Sequence, residues 1–240
     1  MNDPKIMATV ALAGVFIALA LLEVWRPVRA AARGRWPLNL GLGLASMLLV
    51  RLMGMAGPLA AALWAQTNSF GLLNQIAAPI WLAIPATIII MDFAIYWQHR
   101  AMHIIPWGWA LHRLHHADTG FDVTTGVRFN PGEALVSMVY KSAIAAVLGA
   151  SPLIIIAFET YLALFSLFEH ANLRLPTRFD TALRRFWVTP AVHSIHHSAH
   201  GQDHNHNFGF AIGLWDHLFG TYQNCASGPN IGLPQHDTGG

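Results

Sequence analysis

The first long apolar run of the chain, residues 6–25, limits the folds open to it more than any other feature. A helix needs about 20 apolar residues to cross the hydrocarbon core of a bilayer, and this run has that length. A secretory signal peptide usually has a shorter apolar stretch, of about 7–15 residues, and a more basic start than the single Lys5 found here. The run therefore predicts a retained membrane helix.

Four further apolar runs predict an all-α membrane protein, a bundle of about four to five transmembrane helices; they cover residues 38–64, 76–97, 134–150 and 152–168. The composition agrees, because 54% of the residues are hydrophobic and only 11% are charged. Soluble domains have about 45–50% apolar and about 25% charged residues. Arg51 interrupts the second run. It is either a buried functional charge or part of a bent or re-entrant segment near Gly54 and Gly57, and we expect the second arrangement.

The distribution of charge predicts the orientation of the bundle. The loop after the first run contains no acidic residue but four arginines, namely Arg26, Arg29, Arg33 and Arg35. The positive-inside rule places this loop in the cytoplasm. If each apolar run crosses the membrane once, the polar segments after residue 97 and after residue 168 lie on the same side as this loop. We therefore expect an integral protein of the inner (cell) membrane with a helical cap on its cytoplasmic face.

Histidine is unusually frequent, with 14 residues against 12 carboxylates. Residues three and four apart share one face of a helix, so the patterns H-x-x-x-H and H-x-x-H-H can each direct several imidazoles to one point. One H-x-x-x-H and two H-x-x-H-H patterns lie on the predicted cytoplasmic side, at His99, His103, His112, His115, His116, His193, His196 and His197. Eight imidazoles exceed the three or four that one zinc ion takes, so the spacing predicts two metal ions. Imidazole binds zinc, copper, iron and nickel alike, which leaves the metal open.

The remaining residue types limit the cofactors and partners that the chain can use. The single Cys225 excludes a disulfide within the chain and a thiolate cluster built by this chain alone. The basic residues lie beside apolar runs and form no patch that would face RNA or DNA, so no nucleic-acid partner is expected. The chain also lacks a glycine-rich dinucleotide fingerprint and an iron–sulfur cysteine set. An oxidoreductase of this composition would need a separate electron donor, such as a ferredoxin, a cytochrome or a reductase.

Five ordered segments extend the pattern beyond the histidines: DFAIYWQHRAMH, LHRLHHADTGFDVTTGVRFNPGE, FEHAN, HSIHHS and NFGFAIGLWDHLFGTY. Together they resemble the fatty acid hydroxylase / sterol desaturase superfamily of integral membrane di-iron oxygenases. The resemblance covers about residues 92–222, whereas the first 75 residues match only in being apolar. One departure lies before Pro131, where the family often has a histidine and this chain has Asn130.

The resemblance implies a cytoplasm-facing site with two Fe ions that uses O2 to hydroxylate a C–H bond of a lipid, fatty-acyl or sterol-like substrate. It implies that the eight histidines above are ligands, and it adds His170 of FEHAN as a ninth. Zinc can replace iron when such a protein is made recombinantly. The chain then divides into N-terminal membrane helices in 1–75, a fatty acid hydroxylase-like catalytic domain in 76–222 and a loose C-terminal tail in 223–240.

Neutral imidazoles do not compensate the charge of metal ions, so nearby acids should accept their outer ring hydrogens. The candidate acids are Asp92, Asp118, Asp122, Glu133, Glu169 and Asp216. Asp92 is the best placed of them, because Asp92, Tyr96, His99 and His103 share one stripe of a predicted helix. Some residues are expected to support the metal-binding histidines from outside, because of their helical register, their position next to His170 or their match to family positions. They are Asp92, Tyr96, Glu169, Asn172, Asn207 and Asp216.

Two alternative functions remain open. A lipid desaturase would use the same histidine pattern, and only the product distinguishes it from a hydroxylase. A non-enzymatic membrane protein that binds haem or metal ions would also need histidines. However, a haem takes only two axial ligands, and a transporter would place ionisable groups in mid-membrane, whereas these histidines lie at one end.

Overall fold

The computed structural model of the chain describes residues 3–30, 33–53, 57–228 and 230–233. Eleven α-helices lie in these ranges, and no β-strand is found among the residues described beyond two isolated bridges. The helices are α1 (Pro4–Trp25), α2 (Trp36–Leu52), α3 (Gly57–Thr67), α4 (Leu72–Gln75), α5 (Ile80–Ile104), α6 (Pro106–His116), α7 (Pro131–Leu148), α8 (Pro152–Glu169), α9 (Thr177–Leu183), α10 (Pro190–His196) and α11 (Leu214–Leu218). The predicted all-α architecture is confirmed.

Four stretches of the described chain are long and apolar enough to cross a membrane: α1, the segment 33–75 that contains α2 to α4, α5 and α8. This number agrees with the predicted four to five spans. The fourth predicted run forms α7, which is not among these stretches because Glu133 and Lys141 lower its hydropathy. The protein is therefore an integral membrane protein built mainly from the helices that the apolar runs predicted.

The second apolar run does not form one straight helix. It is divided between α2, which ends at Leu52, and α3, which begins at Gly57. Arg51 lies in the last turn of α2 with its side chain exposed, so it is not a buried charge within the bundle. Gly54, on which the expected bend partly depended, lies outside the described residues.

The turn between α7 and α8 follows from its sequence. Gly149 ends α7 in the left-handed conformation, with φ of 69°, which a residue with a side chain adopts less readily. The Ser151 side chain accepts a hydrogen bond from the Ile154 N–H, and Pro152 occupies the first turn of α8. These residues reverse the chain, so α7 begins and α8 ends at the level of the histidines.

An apolar core joins the membrane helices. Ala62 of α3, Met91 of α5, Ala145 of α7 and Phe158 of α8 are buried together. The N-terminal helices pack against the same unit, because α1 packs on α8, whereas α2 and α3 pack on α7. The described helices before residue 75 therefore pack against α7 and α8.

The segment after α8 packs at the end of the bundle that carries the histidines. Its last described residues are hydrogen-bonded to an earlier part of the same segment. The Ser227 N–H and hydroxyl donate to Asp203, and the Gly232 N–H donates to the His197 carbonyl. Residue 229 and residues 234–240 of the expected tail lie outside the described residues. The described residues after 222 thus hold the loop that follows the third histidine pattern.

Candidate metal centre

All nine histidines predicted as ligands meet in one place, where they form two groups that could each hold a metal ion. The group A histidines are His99, His103, His112, His116 and His196, and the group B histidines are His115, His170, His193 and His197. Within each group, one ring nitrogen from every histidine lies within 4.8 Å of the corresponding nitrogens of the others. Seven of the nine residues are buried, and His99 and His103 are half-buried.

Four helices deliver these side chains. The end of α5 carries the H-x-x-x-H pair, as its register predicted, and α6 begins directly afterwards at Pro106. α6 carries the first H-x-x-H-H pattern, His170 caps the end of α8, and α10 with its C-cap carries the second H-x-x-H-H pattern. The adjacent histidines of each H-x-x-H-H pattern belong to different groups. Successive residues of a helix point about 100° apart, so each pattern supplies both groups.

The hydrogen bonds of group A show how its rings are oriented. The Nδ1 atom of His99 lies 2.8 Å from the Phe208 carbonyl oxygen, and that of His196 lies 2.7 Å from the His206 carbonyl oxygen. A carbonyl only accepts, so each Nδ1 must carry the hydrogen. In a neutral imidazole Nε2 then has a lone pair, yet the Nε2 atoms of His99 and His196 lie only 3.0 Å apart. Two lone pairs at this distance fit a cation bound between them.

Group B repeats this arrangement. His115 donates from Nδ1 to the Arg128 carbonyl at 3.0 Å, and His170 donates from Nδ1 to the Ser166 carbonyl at 2.7 Å. Their Nε2 atoms face each other at 3.1 Å. The Nε2 atom of His170 also lies 3.1 Å from that of His193 and 3.2 Å from that of His197. Both groups therefore present converging, unprotonated ring nitrogens, which is the donor set that a divalent transition metal needs.

Burial keeps these rings neutral. Removal from water lowers the pKa of His170 to about 4, and its hydrogen bond to the Ser166 carbonyl opposes this shift only in part. Burial, followed by the neighbouring histidines, lowers the pKa well below the usual value for His115, His116, His193, His196 and His197. The neutral form is the one that ligates metals, so the site is suited to binding at neutral pH.

Among the described residues, one carboxylate is hydrogen-bonded to a histidine of the two groups, and it is not the one that the helical register favoured. Glu133, in the first turn of α7, accepts a hydrogen bond from Nδ1 of His112 at 2.7 Å. Asp92 was expected to accept from a histidine, but it accepts from the Trp215 indole at 2.8 Å. α11 lies against α5 at this point and engages the carboxylate. Asp92 thus anchors the segment around residue 215.

The other predicted outer partners act through the backbone of the loops. Asp216 accepts hydrogen bonds from the N–H groups of Phe208 and Gly209, and also from the Thr221 hydroxyl, which Tyr96 contacts at 3.0 Å. Asn207 lies between the two residues whose carbonyls bind His99 and His196, and its side chain bonds to the backbone of Gln223. These contacts hold the carbonyl oxygens in position for the rings.

Glu169 and Asn172 flank His170. Glu169 is fully buried, and its Oε1 atom lies 3.7 Å from Nδ1 of His170 and 3.8 Å from Nε2 of His193, beyond hydrogen-bond distance. The Asn172 side chain is hydrogen-bonded to the backbone of Arg29 in the loop after α1. Asn130, at the position where the family often has a histidine, belongs to neither group. Its side chain caps α7 by accepting from the Gly132 N–H.

Two side chains of the N-terminal helices hold loops of the site in place, and neither was predicted from the sequence. Glu23 of α1 accepts hydrogen bonds from the Val123 and Asn172 N–H groups, at 2.8 and 2.7 Å. Asn39 of α2 donates to Asp118 and Thr124 and accepts from the Arg128 guanidinium, whose backbone carbonyl binds His115. Both side chains are buried polar groups in otherwise apolar runs. That contrast was visible in the sequence and could have identified them.

A cavity of about 860 Å³ connects the histidines with the interior of the membrane bundle. Its walls come from α1, α2, α5, α7 and α8, and it reaches His99 and His112 of group A and His170 of group B. Most of its lining is apolar, including Phe16 and Leu162. A chain-like apolar molecule could therefore extend from the bundle to both groups.

Comparisons with known proteins show what the chain is similar to. The profile of the fatty acid hydroxylase family matches residues 84–221. The chain is 27% identical over 146 residues to ornithine lipid hydroxylase OlsE of Rhizobium tropici, a match that covers 61% of this chain and 43% of the relative. It is 25% identical over 133 residues to human alkylglycerol monooxygenase, covering 55% of this chain and 29% of the relative.

A third relative is the fatty acid hydroxylase vlmA of Lecanicillium sp, 28% identical over 155 residues, with 59% of this chain and 42% of the relative covered. The matched segment thus spans less than half the length of these relatives. No solved structure gives a significant match. The family profile covers more than half of the chain and includes all nine histidines of groups A and B. The chain therefore belongs to the fatty acid hydroxylase family.

Proposed function

We propose that this protein is a membrane-bound, O2-dependent di-iron hydroxylase that inserts oxygen into a C–H bond of a lipid, fatty-acyl or sterol-like substrate. Within both histidine groups, unprotonated Nε2 atoms face each other, for example those of His99 and His196 at 3.0 Å. This observation supports the proposal best. Such an arrangement is repulsive unless cations lie between the rings, and two groups imply two ions. Bound iron would supply the activation of O2 and the oxidation of the C–H bond.

The protein's own residues would hold and orient the reactants. The nine histidines would bind the two ions, and the carbonyls of residues 128, 166, 206 and 208 would fix the tautomer and orientation of four rings. Glu133 would raise the basicity of His112 by accepting its Nδ1 hydrogen. The apolar cavity would align a lipid chain with both groups and keep bulk water away from the oxidised carbon.

The cavity and the relatives support the proposed substrate class. Proteins named as an ornithine lipid hydroxylase, an alkylglycerol monooxygenase and a fatty acid hydroxylase are similar to this chain. Each of these names refers to a lipid, a fatty acid or an alkyl compound, and an apolar cavity can accommodate such a molecule. We propose that reducing equivalents come from a separate ferredoxin, cytochrome or reductase at the cytoplasmic face of the inner membrane.

The test is product analysis with isotopic oxygen. Protein purified with iron, supplied with lipid extract, an electron donor and ¹⁸O2, should yield lipids that carry one labelled oxygen atom. His196→Ala should abolish the labelled product, whereas His217→Ala, which replaces an exposed histidine outside both groups, should retain it. Loss of two hydrogens without labelled oxygen would identify a desaturase. A haem absorption band without O2 consumption would contradict both the hydroxylase and the desaturase.

A further inference from the structure

The cavity that reaches the histidines also reaches the surface of α1. Of the residues that line it, Thr9 and Ala13, one turn apart on α1, are exposed, whereas the other lining residues are buried or half-buried. Leu12 and Phe16 line the cavity from the same face of this helix. A lining residue that is itself exposed lies at an opening of a cavity. The cavity therefore has a mouth beside Thr9 and Ala13.

A gap between α1 and α2 accounts for this mouth. α1 packs on α8 and α2 packs on α7, so each helix is held by a different partner. Within the part of the chain that the structure describes, α1 and α2 are not packed against each other along their lengths. They meet near the start of α2, where the rings of Phe16 and Trp36 have centroids 6.4 Å apart. Ser46 and Val50 line the cavity from α2, so the two helices form separate walls of the mouth.

The mouth opens at the depth of the lipid chains, because α1 is long and apolar enough to cross a membrane. A rise of 1.5 Å per residue places Ala13 about 14 Å from Pro4 and about 18 Å from Trp25 along this helix. The hydrocarbon core of a bilayer is about 30 Å thick, so Ala13 lies near its middle. The same rise places Ala13 about 15 Å from Glu23, which is hydrogen-bonded to loops of the metal centre. A molecule that enters at the mouth must extend about this far to reach the histidines.

The mouth presents apolar surface to the bilayer. Leu12, Ala13 and Phe16 have hydrocarbon side chains, and the Thr9 hydroxyl donates a hydrogen bond to the Lys5 carbonyl oxygen at 2.9 Å. The hydroxyl is therefore paired within its own helix. A charged headgroup would lose its hydration in passing here, at a large cost in free energy, whereas an acyl chain would not. The mouth is thus suited to hydrocarbon chains.

We propose that the lipid substrate enters the cavity sideways from the bilayer, through the mouth between α1 and α2. This inference rests on the proposed function for the lipid nature of the substrate. The acyl chain would pass Thr9 and Ala13 and advance to His99 and His112, which line the same cavity. The substrate would then reach the metal centre without crossing the aqueous phase.

Photochemical capture inside the cavity tests this route. Benzoylphenylalanine replaces Leu162, a half-buried lining residue of α8, in iron-loaded protein in nanodiscs without an electron donor. Methyl oleate is delivered to the bilayer, samples are illuminated at successive times, and the adduct is measured by mass spectrometry. Ala13→Trp and Thr9→Trp each place a large side chain at the mouth. We expect each to slow capture about tenfold, because the ester must displace this side chain, and to leave the final yield unchanged.

Ala11→Trp is the matched control. Ala11 is exposed at nearly the same depth of α1, but it points about 160° away from Ala13 and does not line the cavity. This variant should capture the ester at the parent rate. All three positions are exposed, so the added rings displace no buried side chain, and the iron content shows whether each variant is folded.

The outcomes separate the entry route from the proposed function. Since no oxygen is transferred, the capture rate does not depend on whether the protein is a hydroxylase or a desaturase. Capture that neither mouth variant slows, or that Ala11→Trp slows equally, would overturn the lateral route and leave the proposed function standing. Absence of capture in the parent protein would overturn the lipid substrate together with the route.

Discussion

The Nε2 atoms of His99 and His196 face each other at 3.0 Å, while each ring donates its Nδ1 hydrogen to a backbone carbonyl. The two residues are far apart in the chain, on α5 and α10, and each ring is fixed by the loop that follows the third histidine pattern, His193 to His197. The carbonyls impose the tautomer on each ring. The structure therefore forms a metal-binding arrangement from backbone hydrogen bonds as much as from the histidines.

Loss of one histidine should affect one metal position more than the other. His196→Ala removes a group A ligand, and His193→Ala removes a group B ligand. We expect each variant to retain about half of the wild-type iron, because the remaining group keeps its full set of rings. The measurement is iron content per chain by plasma mass spectrometry. His217→Ala should leave the iron content unchanged, and equal loss of all iron in both variants would show that the groups are not independent.

Removal of the Glu133 carboxylate should weaken the metal without dismantling the site. Glu133→Ala deletes the acceptor of His112, and changes to such outer hydrogen-bond partners cost about 10–100-fold in metal affinity. Glu133→Gln keeps an acceptor oxygen but loses the charge, so its affinity should fall less. Competition with a chelator measures both variants. Wild-type affinity in Glu133→Ala would contradict a role for this contact.

Glu23 should stabilise the protein through the loops that it holds. Glu23→Ala leaves the Val123 and Asn172 N–H groups without their acceptor in a buried place, at a cost of about 1–3 kcal/mol in the free energy of unfolding. For a chain of this length that cost lowers Tm by several degrees. Differential scanning fluorimetry in detergent would measure it. Glu23→Gln keeps an acceptor oxygen and should lose less, and Val24→Ala, at an exposed neighbouring position, should lose nothing measurable.

Chelation of the metal should destabilise the folded protein. Bound ions stabilise the native state by RT ln(1 + [L]/Kd), which amounts to about 4 kcal/mol when the free metal is at 1,000 times its Kd. Without the ions, the facing lone pairs of His115 and His170 also repel each other. We expect a lower Tm in chelator that recovers when ferrous iron is restored. An unchanged Tm after complete metal removal would show that the rings are held together by the protein alone.

The helices and the histidine faces could be predicted from the sequence because both depend on local spacing. Runs of about 20 apolar residues identified the membrane helices, and the three- and four-residue spacings placed eight histidines on helix faces. The continuation of α5 into the first histidine pattern followed from the same reasoning, because Asp92, Tyr96, His99 and His103 share one stripe. These features needed no knowledge of tertiary structure.

The partners of the rings could not be predicted in this way. Every residue has a carbonyl, so no sequence pattern marks Arg128 or Phe208 as the residue whose oxygen meets a histidine. Helical register favoured Asp92 as the acid beside a histidine, but register does not show that Trp215 packs on the same face. Glu133 was one of six candidate acids, but nothing in the sequence distinguished it from the others, because its contact with His112 arises from the packing of α6 and α7.

Iron content measured together with activity tests the central claim most directly. Protein from iron-supplied cells, purified without chelators and shown to oxidise lipid, should contain about two iron atoms per chain, one for each histidine group. Zinc in a preparation without activity would not address the claim, so the activity of the same sample is measured. Full activity with one iron or less per chain, or with a different metal in both groups, would contradict the assignment of a di-iron hydroxylase.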